Sequence, residues 1–426
     1  MPGMTVAPTG HPVNQPDTAL PAAADTLRLK PRGSSQGGLR QYNERVVLQA
    51  IRLHGALPGA EIARVTQLTA QTVSLITKRL EADGLLLRGA PQRGKVGQPS
   101  VPLRLNPDGA LAIGIKVGRR SMDVLLVDFT GAVRQRWTLD YRYPDPDQLL
   151  AEIGDRLGEI AAQLSADALG RVQGVGIAAP FSLGGWQTLL DMPPAVAARW
   201  PTVNLRAEVA ARTDLPVSLI KDTAAACVAE LVAGRGRSVQ SFLYVFVDTF
   251  IGGGLVLDSQ LRAGLHGNAG AIGSLPMGLA GPDNGAAPAQ LLSVASLANL
   301  EARYRQHGLD AAAVADDRAL QAPWLAHTQA WLADAAGAVA LVVNSAACLL
   351  DLESVIVDGS FSRALQAALV AALQQALDRY SWEGVTRPLL QPGTIGSDAR
   401  ALGGALLPLH ANFSPDRDLF LKIAVD

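Results

Sequence analysis

Gln71, Thr72 and Ser74 stand almost side by side, Lys78 and Arg79 follow a turn later, and together these side chains can read and grip a nucleic acid. A glutamine amide pairs with an adenine edge through two hydrogen bonds, and threonine or serine hydroxyls reach bases or phosphates. Lys78 and Arg79 suit the phosphate backbone. A second polar set comprises Lys116, Arg119 and Arg120, with Lys221 and Asp222 about a hundred residues on. Fixed cations of this kind can hold a phosphate, and a carboxylate can accept hydrogen bonds from hydroxyl groups.

The first set needs a helix with its N-terminal end outward. Residues 41–54, QYNERVVLQAIRLH, carry apolar positions at mostly helical spacing, and Gly55 stops them. PGAEIARVT reads as a short helix opened by Pro58, and Gln67-Leu68 as a tight connection to Thr69, an N-cap. Ala70 to Asp83 then turn Val73, Ile76 and Leu80 towards a core, with Leu75 a further candidate for the same buried face, before Gly84 ends the helix. Helix, short helix, turn, helix is the pattern of a helix-turn-helix, whose last helix enters the major groove N-terminal end first. The segment LLLRGAPQRGKVGQPSVPLRLN gives a strand, a basic Gly/Pro-rich loop and a strand: a hairpin wing that lays Arg88, Arg93 and Lys95 along or within a groove.

Charge divides along the chain in the same sense. The 426 residues carry a formal −1, but thirteen Lys and Arg face four Asp and Glu between Arg28 and Arg104, a net of +9, against −8 from residue 105 onward. A basic module joined to an acidic one points to a polyanionic partner for the first only. The two cysteines, Cys227 and Cys348, lie far apart in apolar helical patterns and are expected to be buried thiols in a reducing cytoplasm. The Pro/Gly/Ala-rich residues 1–36 read as a disordered tail without the apolar run of a signal peptide, and Ala335 to Leu350 as a packed core helix; no membrane partner is expected.

From Ala110 apolar strands alternate with long helices, the pattern of an α/β fold. ALAIGIKVG and MDVLLVDFTG form strands joined by the tight Gly118-Arg119-Arg120 turn; VQGVGIAAP and LPVSLIKD supply two more. SFLYVFVDTFIGGGLVLD repeats strand, Gly-rich turn, strand, and SVIVDGS adds another. Two such halves predict an actin-like, two-lobed arrangement around a cleft.

Residues 43–86 followed by a G-x-P loop resemble the DNA-binding module of repressors in the ROK family (repressor, open reading frame, kinase), and GIKVG, GVGIAAP, KDTAAACVAE, DTFIGGGLV and GLHGNAGAIGS resemble its sugar-kinase domain. The resemblance implies an N-terminal winged helix-turn-helix over 37–108 and a two-lobed actin-like (ribonuclease H-like) ATPase-type sugar-kinase domain over 109–426. Its lobes would span about 109–222 and 223–400, with a C-terminal helix returning to the first. In the wing, family repressors carry Gly-Gly-Arg-Pro where this chain has Val96-Gly97-Gln98-Pro99, so Gln98 replaces a cation.

The family pattern also implies which chemistry is gone. Asp-x-Gly-Gly-Thr is replaced by Lys116-Val117-Gly118-Arg119-Arg120, so a metal-binding carboxylate becomes an ammonium. The three cations either still hold a phosphate or form salt bridges on the rim of the lobe, the second being preferred. Asn-Asp-Ala-Asn becomes Lys221-Asp222-Thr223-Ala224, keeping the catalytic-type Asp222, which also suits an N-cap. Gly-Glu-Ile-Gly-His becomes Gly270-Ala271-Ile272-Gly273-Ser274, and MGLAGPDNGAAPAQLL has neither Cys nor His, so neither the usual sugar ligand nor a zinc site is expected there.

The polar candidates left for an effector are Lys221, Asp222, Asn268 and Ser274; those for DNA are Thr69, Gln71, Thr72, Ser74, Lys78, Arg79, Arg93, Lys95 and Gln98. The expectation is a repressor of carbohydrate genes, dimeric or tetrameric, with double-stranded operator DNA and a sugar or sugar-phosphate effector as partners and no cofactor. An active sugar kinase with a fused DNA-binding head, and a regulator whose kinase-like part is only an oligomerisation scaffold, are the alternatives.

Overall fold

A computed structural model describes residues 36–91, 100–185, 191–279 and 287–415. The tail expected over 1–36 lies outside them except for its last residue. The chain divides into two compact units, residues 1–43 with 416–426, and residues 44–415. Of the first unit, the described residues 36–43 open helix α1 (Gln36–His54). The second unit holds every element that follows.

After α1 come β1 (Ala56–Pro58), α2 (Gly59–Thr66), α3 (Ala70–Ala82), β2 (Leu86–Arg88) and β3 (Pro102–Leu105). The three strands form one antiparallel sheet in the order β1-β3-β2. Pro58 closes β1 and stands at the N-cap of α2 rather than opening the helix. Gln67 takes a left-handed backbone (φ 57°) that turns the chain between α2 and α3. Thr69 caps α3 as its sequence implies, its hydroxyl accepting the Thr72 N–H at 3.1 Å.

Val73, Ile76 and Leu80 are buried with Ile51 and Ile62, but Leu75 is 64 % exposed. At about 100° per residue, positions 73, 76, 77 and 80 fix the inward face and 75 falls opposite them.

The next region contains two five-stranded sheets of the same design. In the first, β6 (Val133–Asp140), β5 (Ser121–Asp128) and β4 (Leu111–Val117) run antiparallel, and β7 (Val172–Ala179) and β8 (Val217–Lys221) extend the sheet in parallel. In the second, β11 (Gln260–Arg262), β10 (Gly252–Leu257) and β9 (Phe242–Val247) are antiparallel, and β12 (Ser354–Gly359) and β13 (Leu389–Pro392) continue in parallel. Helix α4 (Pro146–Gln163) covers the first sheet, and α5 (Asp222–Ala233) joins the two.

Helices α6 (Leu297–Gln306), α7 (Leu325–Leu350) and α8 (Arg363–Leu377) pack into the core of the second sheet. Helix α7 is long and apolar enough to cross a membrane, yet Trp331, Val339 and Val343 are buried inside the fold. Cys348, on its outer face, is exposed and not buried as expected; Cys227 is buried. A helix against one sheet has only one inward face, and apolarity of sequence does not say which side a small thiol occupies.

The last helix, α9 (Ala399–Phe413), lies against α5, β4 and β7. Gly403 allows this: a Cβ there would fall 1.7 Å from the Ala225 carbonyl oxygen. One apolar cluster runs from Val47, Ile51 and Leu86 of the head into Leu125, Val127 and Phe129 of the first sheet and Leu406 and Leu409 of α9. The head is therefore packed onto its neighbour: Arg237 donates to the carbonyls of Arg52 and Leu53, and the Arg52 guanidinium lies over the Phe129 ring, 5.1 Å from its centroid.

Candidate functional site

Two regions gather the polar residues singled out by the sequence. On α3, Gln71, Ser74, Leu75 and Lys78 are exposed at positions i, i+3, i+4 and i+7, which is one helix face. Thr69 and Thr72 bond to each other through their hydroxyls at 2.8 Å, so their first duty is the cap. Arg79 is held by Glu44 at 2.8 Å, and Arg88 on β2 by Glu81 at 2.6 Å. Lys78 makes no ion pair among the described residues. Arg93, Lys95 and Gln98 lie outside the described residues. The face therefore offers an amide, a hydroxyl, an isobutyl group and an unpaired ammonium, beside a three-stranded sheet.

The second region lies where β4, β8, β9 and α9 end. Lys116 is buried and donates to Ser121 Oγ at 2.7 Å and Asp123 Oδ2 at 2.8 Å. Thr138 also donates to Asp123, at 2.8 Å. Burial opposes ionisation of Asp123, but the adjacent ammonium outweighs it and holds the carboxyl below its usual range. Burial and the Arg400 charge lower the Lys116 pKa, against the pull of Asp123. Arg120 forks onto both carboxylate oxygens of Glu301 at 3.3 Å. Salt bridges thus account for two of the three cations, but Lys116 is interior and does not sit on a rim as expected, because its partner faces it across the β4–β5 hairpin.

Arg119 differs. Its guanidinium lies over the Phe250 ring, 4.6 Å from the centroid, and its Nε is buried without a hydrogen-bond partner. Burial depresses its pKa.

Asp222 is buried and is the first residue of α5, with Lys221 at the N-cap; it is not the cap itself. Its Oδ1 accepts the N–H of Thr223 at 2.9 Å, and Arg400 Nη1 lies 3.9 Å from Oδ2. Arg400, carried on α9, is also ion-paired with Asp248 just beyond β9 and reaches Ser360 Oγ at 3.5 Å. Burial works against the charge on Asp248, but Arg400 prevails and keeps its pKa low. Asp248, Arg400, Phe250 and Glu301 were not found from sequence. An arginine inside the alanine- and glycine-rich α9 was the one available signal.

Asn268 is exposed in a turn, its carbonyl accepting the Ala271 N–H at 3.0 Å, and Ser274 is exposed at the end of a short 3-10 helix. Among the described residues no hydrogen bond or ion pair joins either of them to Lys221 or Asp222.

A metal–nucleotide group does not fit these residues. Phosphate cradles rely on backbone N–H groups left open by glycine and on a carboxylate for the metal. Here the Lys116 ammonium occupies one turn, and the other turn carries Asp248 and Phe250, both engaged by arginines. Gly252, Gly253 and Gly254 do not form a turn, as expected, but lie inside β10. A Cβ on Gly254 would fall 2.5 Å from that of Cys227, so this glycine serves the packing of α5 on the sheet.

Residues 112–411 match a family model described as ROK family. A xylose repressor of Caldicellulosiruptor bescii is 25 % identical over 55 % of this chain and 58 % of its own length. The chain spans about three-fifths of the length of the curated relatives it matches. A solved ROK family transcriptional regulator, a homologue of the E. coli MLC protein, superposes with a TM-score of 0.63 at 23 % identity, over 88 % of this chain and 97 % of the regulator. A ROK hexokinase from Thermus thermophilus superposes with a TM-score of 0.51 at 23 % identity, over 70 % of this chain and 97 % of the enzyme. Coverage of 88 % cannot be reached within residues 112–411, so the regulator's likeness of fold extends into the winged-helix region.

Proposed function

The chain belongs to the ROK family, and from that premise we propose that it is a DNA-binding transcriptional regulator, a repressor of carbohydrate genes whose grip on its operator answers to a sugar or sugar-derived effector. The observation that carries this reading is the exposed α3 face of Gln71, Ser74, Leu75 and Lys78, held out by a packed winged head. On this reading residues 37–108 bind DNA and residues 109–426 sense and assemble. Thr69 and Thr72 shape the start of the recognition helix, Gln71 and Ser74 read bases, and Lys78, Arg79, Arg93, Lys95 and Gln98 follow the backbone and wing contacts.

The effector lies near Lys221 and Asp222, with Asn268 and Ser274 on an adjoining loop. Helix α9 transmits its presence. Fifteen residues long, about 22 Å, α9 carries Arg400 beside Asp222 and Asp248 at one end and Phe413 against Phe129 at the other. A ligand that prefers one arrangement of these ion pairs shifts the population of head positions. A homodimer or homotetramer in the cytoplasm sets the spacing of two heads on paired half-sites. The relatives named as xylose repressors support this reading over kinase activity. So does Arg400, ion-paired with Asp248 and 3.9 Å from Asp222, which sets a cation beside the carboxylates that phosphoryl transfer needs.

The test is fluorescence anisotropy on the intergenic DNA beside the chain's own gene, against scrambled DNA of equal length at fixed near-physiological salt. Selective binding of about a thousandfold or more is expected. Equal, salt-sensitive binding to both, also after selection from genomic fragments, would overturn the reading. ATP-dependent phosphorylation of sugars that is lost in Asp222→Ala would establish the kinase instead.

A further inference from the structure

The cations around Asp222 fall into two groups. Lys116 and Arg120 each have a carboxylate partner, Asp123 at 2.8 Å and Glu301 at 3.3 Å. Arg400 is taken by Asp248 and Ser360. Arg119 and Lys221 have no ion pair among the described residues, although both are half-buried. We propose that Arg119 and Lys221 form an anion site beside Asp222, which takes the carboxylate or phosphate group of a small polyhydroxylated effector.

The inference rests on the reading of the chain as a ligand-controlled regulator and names the chemical class of that ligand. Stacking on Phe250 uses the face of the Arg119 guanidinium and leaves its five donors in the plane of the group, where planar oxyanions are recognised. One of those donors, Nε, is buried without a partner, a state that native structures normally relieve with a ligand, water or side chain. Lys221 sits at the end of β8, next to Asp222, and Arg400 links Asp222 to Asp248, two residues from the Phe250 ring on which Arg119 stacks, so the two cations flank one polar cluster.

Asp222 attracts both cations and Asp248 attracts Arg119, but Arg400 draws on the same two carboxylates, 3.9 Å from Asp222 and in an ion pair with Asp248, so an added anion still meets positive charge at Arg119 and Lys221. The free acceptor capacity of Asp222 is suited to ligand hydroxyls beside the anionic group.

The experiment uses the full chain in chloride buffer of constant ionic strength, titrated calorimetrically with inorganic phosphate, glucose, gluconate and glucose 6-phosphate. Inorganic phosphate is expected to bind, and at least one anionic sugar to bind about tenfold or more tightly than glucose. Gluconate ahead of glucose 6-phosphate identifies a carboxylate ligand, and the reverse order a phosphate. Arg119→Gln and Lys221→Gln should each weaken phosphate binding by about tenfold, Lys221→Arg should retain it, and Arg120→Gln, whose charge is spent on Glu301, should leave it unchanged.

Thermal melts of each variant show whether it is folded. If Arg119→Gln does not fold, Lys221→Gln against Lys221→Arg decides alone. No phosphate binding by the parent chain, or binding undiminished in the folded Gln variants, would overturn the anion site. Anisotropy on operator DNA without added anion separates the two claims: selective DNA binding with no anion binding sinks only this inference, whereas anion binding without selective DNA binding sinks the regulator reading.

Discussion

The α3 face and the cluster around Asp222 are both rich in polar side chains, yet they hold their charges differently. On α3, Gln71, Ser74 and Lys78 face solvent, and Lys78 has no ion pair among the described residues. Around Asp222, Lys116, Asp123, Asp248 and Arg400 are bonded to one another or to neighbours. An exposed, unpaired donor is cheap to hold and available to a partner, whereas a buried charge must be matched inside the protein. On the proposed reading the exposed groups serve recognition and the buried ones architecture, with Arg119 and Lys221 as the two exceptions.

The contrast breaks if the charges around Asp222 prove dispensable. Arg400→Ala removes the partner of the half-buried Asp248 and the neighbour of the buried Asp222, and should cost about 3 kcal/mol of stability, read from denaturant unfolding. Arg400→Ala combined with Asp248→Ala should be milder than the single change, since it leaves one fewer orphaned charge. A single variant as stable as the parent would make these charges equivalent to surface ones.

A titration sharpens the same point at the other end of α9. Burial, helped by the Arg52 charge, lowers the His410 pKa from 6.5 to about 4, with Ser414 Oγ bonded to Nδ1 at 2.7 Å. The unfolded chain takes a proton near pH 6.5 and the folded one only near 4, so stability is full above 6.5 and falls as pH drops through this window. The loss should be about 2–3 kcal/mol, allowing for partial solvent contact. His410→Gln should flatten the slope of stability against pH between 6.5 and 4; an unchanged slope would mean that His410 titrates normally.

The head was legible because its signals are local: Thr69 caps a helix that starts at the next residue, and a Gly/Pro-rich stretch separates β2 from β3. The repeated strands were legible too, since each is a continuous apolar run bounded by turns. Leu75 is the exception: its apolarity suggests the buried face, but its place opposite Val73, Ile76 and Leu80 puts it in solvent. Around Asp222, the residue types at 116, 119, 120 and 221 showed a departure from the family pattern. Their partners were out of reach, because Arg120 meets Glu301 181 residues away and Arg400 reaches Asp248 152 residues away. Only folding decides which of several carboxylates pairs with a given cation. For the same reason the sequence could not separate Arg119 from Arg120, neighbours with opposite fates.

The smallest expected effects lie on α3, where stability and recognition should part company. Gln71→Ala and Leu75→Ala each trim an exposed side chain, so folding should change by less than about 0.5 kcal/mol. Loss of a bidentate adenine contact at Gln71 should nonetheless cost about 1–3 kcal/mol of discrimination between operator and scrambled DNA. Lys78→Ala should weaken both DNAs alike and reduce the salt slope by about one. Leu75 sits between these two on the same face, and an exposed isobutyl group there can report only on apolar features of the groove, chiefly thymine methyl groups. Its removal should lower affinity for operator without altering the salt slope, and replacing thymine by uracil in the operator should reproduce that loss in the parent chain but not in Leu75→Ala. If Leu75→Ala shifts the salt slope as Lys78→Ala does, the helix lies along the backbone rather than in the groove, and the face described for α3 is a phosphate contact throughout.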